Sequence, residues 1–125
     1  MKKVTGIGGI FFKCDDPQRM NEWYARHLGL PVAEYGTLFK WRHAEDPGKE
    51  GTTVWATFDK DTTYFAPSKK DFMISYRVEQ LDNLVEQLKR AGVTVVDEIT
   101  VYDHGKFVHI LDPEGNSIEL WEDIV

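Results

Sequence analysis

The chain repeats one sequence pattern, and this repeat constrains the fold more than any other feature. An alternating apolar segment, an acidic corner, an amphipathic helix and a glycine succeed one another over residues 9–29, and the same order returns over 73–92. The copies lie roughly 60 residues apart, a spacing that indicates a duplicated supersecondary module rather than a solenoid unit. A chain of 125 residues supports one hydrophobic core, so the two modules must share a core or a partner.

The repeat also predicts how the chain is divided. We expect one domain over residues 1–125, with module one at 1–58, a connecting loop at 59–71 and module two at 72–125. Tyr64 and Phe65 are embedded in a loop that is otherwise rich in Asp, Thr, Pro, Ser and Lys. Loops of this length are usually functional or form a crossover.

Composition narrows the classes of partner. The formal net charge of -6 disfavours nucleic acid and anionic membranes, because both bind clustered Lys and Arg. No apolar run approaches the ~18 residues of a membrane span, and Cys14 is the single cysteine, which excludes an internal disulfide. We therefore expect a cytoplasmic protein whose partner is a neutral or cationic small molecule.

Hydrophobic periodicity predicts the elements of each module. In module one we expect a strand at 5–14, a helix from Pro17 to Leu28, short strands at 31–34, 38–42 and 52–58, and a polar loop at 43–51. In module two we expect a strand at 73–78, a helix that begins at Leu81 and is capped by Gly92, and a strand at 93–96. Together these elements predict an α+β fold.

The last part of the chain predicts a β-hairpin, because two alternating runs flank a turn that contains Pro113 and Gly115. If Asp112 faces Asn116 across this turn, three pairs share one side of the sheet. These pairs are Leu111 with Ser117, His109 with Glu119, and Phe107 with Trp121.

This order of elements, closed by the sequence Asp-Pro-Glu-Gly-Asn-Ser-Ile-Glu-Leu at 112–120, resembles the vicinal oxygen chelate superfamily. That superfamily includes glyoxalase I, extradiol dioxygenases and bleomycin-resistance proteins. The resemblance covers almost the whole chain. It implies two tandem βαββ modules that form a curved mixed sheet around a cleft, and it implies that two chains pair as a homodimer.

Enzymes of this superfamily hold a divalent metal (Zn, Ni, Mn or Fe) with up to four His, Glu or Gln side chains. Alignment places the ligand positions at Gly9, Met73, Glu119 and near Trp55, with Thr53 or Thr57 as alternatives to the last. Only Glu119 matches the ligand pattern. The resemblance therefore implies either no cofactor or a metal bound by Glu119 with non-standard ligands such as His109 and His104.

Glu119 and His109 are the candidate catalytic residues. A carboxylate on an interior strand needs a partner, so the pair could simply be a structural hydrogen bond. Alternatively, Glu119 orients His109 as a general base that works near neutral pH.

The remaining candidates for ligand binding share the strand faces that we assign to the cleft: Phe11, Lys13, Trp55, Met73, Arg77, Phe107 and Trp121. An aromatic cleft with one carboxylate suits flat or cationic organic molecules. Lys13 and Arg77 occupy matching positions in the two modules, where a structural salt bridge and an anchor for an anionic ligand are both open readings.

Two classes of function follow from these residues. The first is a protein that binds a small organic molecule in an aromatic cleft, like the bleomycin-resistance proteins, without the usual metal site. The second is a metal-dependent lyase, isomerase or dioxygenase of the glyoxalase type that uses Glu119 with non-standard ligands.

Overall fold

A seven-stranded sheet organises the protein, as seen in a computed structural model that describes residues 3–123. Its strands are β1 Val4–Cys14, β2 Thr37–His43, β3 Asp46–Asp59, β4 Phe72–Val78, β5 Thr100–Tyr102, β6 Gly105–Leu111 and β7 Ser117–Glu122. The helices are α1 Pro17–Leu28 and α2 Leu81–Arg90. The strand order β2-β3-β1-β4-β7-β6-β5 confirms the predicted mixed α+β sheet.

The centre of the sheet displays the repeat directly. β1 pairs antiparallel with β4, and Ile10 is the register partner of Ile74. On either side of this pair, β3 runs parallel to β1 and β7 runs parallel to β4. The two halves of the sheet are therefore related by an approximate two-fold axis near the Ile10–Ile74 pair.

Both predicted helices are confirmed, and their ends follow from local chemistry. The Asp16 side chain accepts a hydrogen bond from the Arg19 backbone N–H at 3.1 Å, and Pro17 occupies the first turn, where its missing N–H costs nothing. Gly29 ends α1 at a φ of 71°, which glycine adopts without strain. α2 buries Leu81, Leu84 and Val85 against the apolar side of β6 and β7.

Three predicted segments differ from the structure. Residues 31–34 form only the isolated bridge between Ala33 and Gly36. Residues 93–96 contribute one bridge, between Val95 and Ile110. The polar stretch 46–50 is part of β3, because the β2–β3 hairpin keeps its backbone hydrogen bonds through exposed residues that composition alone marks as loop.

The terminal hairpin has the predicted register. Leu111 pairs with Ser117, His109 with Glu119, and Phe107 with Trp121. The turn is closed by a hydrogen bond from the Asp112 N–H to the Asn116 carbonyl at 3.0 Å. Within residues 3–123, neither helix has the length and apolar character needed to span a membrane.

Candidate functional site

A cavity of about 690 Å³ opens on the face of the sheet opposite the helices, and we call it the cleft. Both modules and the connecting loop line it. Its described lining residues are Gly8, Phe11, Tyr35, Leu38, Thr52, Val54, Ala56, Phe58, Tyr64, Tyr102, His104, Phe107, Glu119, Trp121 and Asp123. Most of these side chains are apolar or aromatic, and few are polar, which is the composition typical of a site for a small organic molecule.

Glu119 is the buried carboxylate of the cleft, with 3% of its surface exposed. Its position on β7 places it beside Ser75 of β4 and His109 of β6. Oε2 accepts a hydrogen bond from the Tyr64 hydroxyl and lies 3.5 Å from His109 Nε2. Partners of this kind offset the cost of burying a charge, which is several kcal/mol for an unpaired ion.

His109 lies between two carboxylates. Its Nδ1 is 2.8 Å from Asp97 Oδ2, and its backbone N–H donates to Asp97 Oδ1, also at 2.8 Å. Burial alone lowers the pKa of His109, but the interactions of its ring with the Glu119 and Asp97 carboxylates together outweigh burial and raise the pKa above its ordinary value. The imidazolium form is thereby favoured, and each ring nitrogen faces a carboxylate. This geometry lets His109 position the Glu119 carboxylate, and the general-base role of His109 stays a prediction.

Tyr64 reaches Glu119 from the connecting loop. Tyr64 is 42% exposed, but its hydroxyl lies inside against Glu119. Burial of the hydroxyl, followed by the charge and hydrogen bond of Glu119, strongly raises the pKa of the phenol. The hydroxyl therefore remains a hydrogen-bond donor throughout the physiological range of pH. Its ring stacks on Phe58, with 5.6 Å between centroids and 6° between planes.

The aromatic residues of module two form a second stack. Trp121 lies between Phe107, at 5.6 Å and 18°, and the Arg77 guanidinium, at 4.4 Å from the ring centroid. Its indole N–H donates to the His104 carbonyl at 3.3 Å. These contacts fix the indole as a rigid part of the cleft wall.

Gly8 lines the cleft close to this stack. A Cβ atom at this position would lie 3.0 Å from Ser75 Oγ and 3.1 Å from a carbon of the Trp121 ring. β1 has a register irregularity between Ile7 and Gly9, so Gly8 and Gly9 both turn toward this side of the sheet. The missing side chain at Gly8 thus lets Ser75 and Trp121 pack closely against β1.

The structure brings Phe11, Phe107, Glu119 and Trp121 together in the cleft, as the sequence predicts. Trp55 is a correction. β3 pairs Trp55 with Ile10 on the helix side of the sheet, where its ring packs against Tyr24 at 4.7 Å. Alternation then turns its neighbours Val54 and Ala56 into the cleft instead.

Three other predicted ligand contacts lie outside the cleft lining. Met73 is 0% exposed and packs with Phe11 and Phe65, so it supports the wall without reaching the cavity. Lys13 lies over the Phe65 ring at 5.5 Å. Arg77 forms the structural salt bridge, with its guanidinium 3.1 Å from Asp123, and also donates to the Thr52 carbonyl.

The residues of the cleft do not fit the metal that the superfamily resemblance implies. The strand registers pair Ile10 with Trp55 and Ile74 with Ile118, so the module-one counterpart of Glu119 is Ala56 and not Trp55. The four ligand positions are therefore Gly9, Ala56, Met73 and Glu119. Across residues 3–123 no three His, Cys, Asp or Glu side chains are grouped to hold a metal ion.

Sequence reasoning missed Asp97 as a partner of the site and left Tyr64 without a role. Asp97 follows the segment 93–96, which lies beside β6 through the Val95–Ile110 bridge. This bridge places the Asp97 carboxylate next to His109. Two aromatic residues in an otherwise polar loop were a usable signal for Tyr64, since a loop of this length is usually functional. The sequence contains no comparable indication that Tyr102 and Asp123 line the cleft.

The comparisons with known proteins agree with this architecture. The profile of a family described as "Glyoxalase-like domain" matches residues 9–121. No curated protein sequence matches the chain.

Solved structures with similar folds include two kinds of enzyme. A Streptomyces coelicolor methylmalonyl-CoA epimerase variant bound to 2-nitronate-propionyl-CoA superposes with a TM-score of 0.70 at 19% identity, over 98% of this chain and 99% of that one. Methylmalonyl-CoA epimerase from Mycobacterium tuberculosis gives 0.62 at 20% identity, over 100% and 92%. The Mn(II)-bound glyoxalase from Novosphingobium aromaticivorans gives 0.67 at 20% identity, over 100% of this chain and 41% of that one.

At these identities the structural matches establish the fold, and the profile match over most of the chain establishes the family. The chain belongs to the glyoxalase-like domain family of the vicinal oxygen chelate superfamily.

Proposed function

We propose that this protein binds a small organic molecule in the aromatic cleft without the metal site of its superfamily. Glu119 is the polar group that contacts the ligand. The apolar wall around the ligand is formed by Phe11, Phe107 and Trp121. Tyr64 and His109 hold the Glu119 carboxylate in place. The size and composition of the cleft support this proposal.

One observation carries the proposal. Phe65 from the connecting loop is 0% exposed and packs on Phe11 and Met73. Aromatic side chains therefore occupy the region around Gly9 and Met73, which are two of the four ligand positions. The Ser117 hydroxyl fixes the loop there by donating to the Phe65 carbonyl at 2.7 Å. A divalent ion needs several oxygen or nitrogen ligands in this region, and the chain supplies apolar side chains instead.

The alternative is a glyoxalase-type lyase, isomerase or dioxygenase that uses a metal on Glu119. Structural neighbours include a Mn(II)-bound glyoxalase and epimerases that bind CoA esters. For such a reaction the ion would need further ligands besides Glu119, but the equivalent positions hold Gly9, Ala56 and Met73, which supply no oxygen or nitrogen side chain. The donor set therefore favours binding without a metal.

We also propose that the protein is a cytoplasmic homodimer. α1 leaves Trp23 and Leu28 51% and 62% exposed, and none of its residues is buried. A second copy that covers this helix would remove the apolar surface from water. Sedimentation equilibrium of the wild type and of Trp23→Lys tests the dimer, which the substitution is expected to weaken.

A matched pair of tryptophan variants tests the binding proposal. Trp121→Leu removes an indole from the cleft, whereas Trp55→Leu removes one from the opposite face of the sheet. In a fragment screen followed by NMR, we expect cleft ligands to lose about tenfold or more in affinity with Trp121→Leu and to be unaffected by Trp55→Leu. Equal effects of the two substitutions, or no ligand at all, would contradict the proposal.

A further inference from the structure

We propose that the cleft selects an organic cation, a molecule with an apolar body and one positive charge directed at Glu119. This inference rests on the proposed function and adds the chemical class of the ligand. It comes from the distribution of charge around the cleft, which the number of charged residues in the sequence does not reveal.

The charged lining of the cleft is acidic. Glu119 and Asp123 line it, and no lysine or arginine does so among the described residues. Asp123 is neutralised by Arg77, whose guanidinium lies 3.1 Å from its carboxylate. The carboxylate that governs the charge of the cleft is therefore that of Glu119.

His109 does not neutralise the Glu119 carboxylate, because its ring also contacts the Asp97 carboxylate. Its ring lies 2.8 Å from Asp97 and 3.5 Å from Glu119, so one imidazolium faces two carboxylates. The group of Asp97, His109 and Glu119 thus carries one net negative charge when His109 is protonated. Tyr64 adds a hydrogen bond to Glu119 Oε2 but no charge.

One oxygen of Glu119 remains for a ligand. Tyr64 and His109 both contact Oε2, and within residues 3–123 no hydrogen bond reaches Oε1. A positive charge next to Oε1 would gain a strong interaction in this low-dielectric setting, whereas an anion would be repelled. Aromatic rings in the wall, such as Phe107 and Tyr102, add attraction for a cation.

Three probes that share the quinoline ring differ in charge. N-methylquinolinium is a cation, quinoline is uncharged at neutral pH, and quinoline-4-carboxylate is an anion. Each is titrated by NMR into the full chain, into Glu119→Gln and into the control Glu114→Gln, which removes a carboxylate from the exposed hairpin turn. Thermal melts confirm that both variants fold.

We expect the cation to bind the wild type about tenfold more tightly than quinoline, and the anion to bind most weakly. Glu119→Gln should bring the cation and quinoline to within about twofold, and Glu114→Gln should keep the wild-type preference. Equal or tighter binding of quinoline by the wild type, or a preference that survives in Glu119→Gln, would overturn the inference while leaving the proposed binding function intact. Failure of all three probes to bind would also overturn the inference, whereas the proposed binding function fails only if the fragment screen yields no cleft ligand.

Discussion

Glu119 shows how a buried carboxylate is maintained in this fold. Tyr64, from the connecting loop, and His109, from the neighbouring strand, both contact Oε2, and Asp97 holds His109 from behind. The hairpin turn alone predicts that His109 faces Glu119. The other two contacts need tertiary structure, because Asp97 and Tyr64 belong to irregular segments whose positions depend on packing.

The first prediction concerns the protonation of His109. We expect its pKa in the folded protein to lie above the ordinary value of 6.5 and to fall in Asp97→Asn, which removes one of the two charges that raise it. Because the folded-state pKa is the higher one, the stabilisation is complete at pH below 6.5 and is lost as pH rises through the folded pKa. An NMR titration of the imidazole measures this; a midpoint at or below 6.5 would contradict the account.

The second prediction concerns the Tyr64 hydroxyl. Tyr64→Phe should lower the free energy of unfolding by about 1 kcal/mol, because Glu119 loses a hydrogen-bond donor while it remains buried. Tyr35→Phe is the control, since Tyr35 also lines the cleft but is 64% exposed; we expect a change within about 0.5 kcal/mol. Chemical denaturation that gives equal losses for both variants would show that the hydrogen bond contributes nothing.

At the scale of elements, the sequence predicts best where a local turn determines the register. The five-residue sequence around Pro113 and Gly115 fixes the β6–β7 pairing, and all three predicted pairs are present. β3 has no such local signal, because its parallel pairing with β1 is made across a helix and a hairpin. Alternation alone therefore does not show which face of β3 lines the cleft, and the prediction that Trp55 lies on that face is wrong.

A third prediction follows from the faces of β3. Trp55 packs against Phe12 and Tyr24 under α1, so Trp55→Ala should cost about 2 kcal/mol in the free energy of unfolding, less than for a fully buried tryptophan. The affinity of the variant for N-methylquinolinium should stay at the wild-type value. Loss of affinity without loss of stability would contradict this placement and indicate that Trp55 lines the cleft.

The connecting loop is the element whose position matters most for the cleft. Phe65→Ala should lower the free energy of unfolding by about 3–5 kcal/mol, because it empties a fully buried site between Phe11 and Met73. Phe72→Ala, at a phenylalanine that is 44% exposed, is the matched control and should cost less than about 1 kcal/mol. Similar losses of stability for the two variants in urea denaturation would contradict the placement of Phe65 between Phe11 and Met73.

For the whole molecule, the duplication explains both the architecture and its asymmetry. The Ile10–Ile74 pair lies at the centre, and the flanking parallel strands repeat in the two modules. Equivalent positions have nevertheless diverged, since module two holds Glu119 where module one has Ala56. The sheet therefore retains the shape of its superfamily while most of the expected metal ligands are replaced.

Metal stoichiometry tests this account most directly. The full chain and Glu119→Gln are incubated with Zn²⁺, Ni²⁺, Mn²⁺ or Fe²⁺, passed through a desalting column and measured by elemental analysis. We predict that both proteins retain far less than one ion per chain, because Gly9, Ala56 and Met73 supply no suitable ligands. Retention of one ion per chain by the wild type, with loss of that ion in Glu119→Gln, would contradict the account and restore a metal-dependent enzyme.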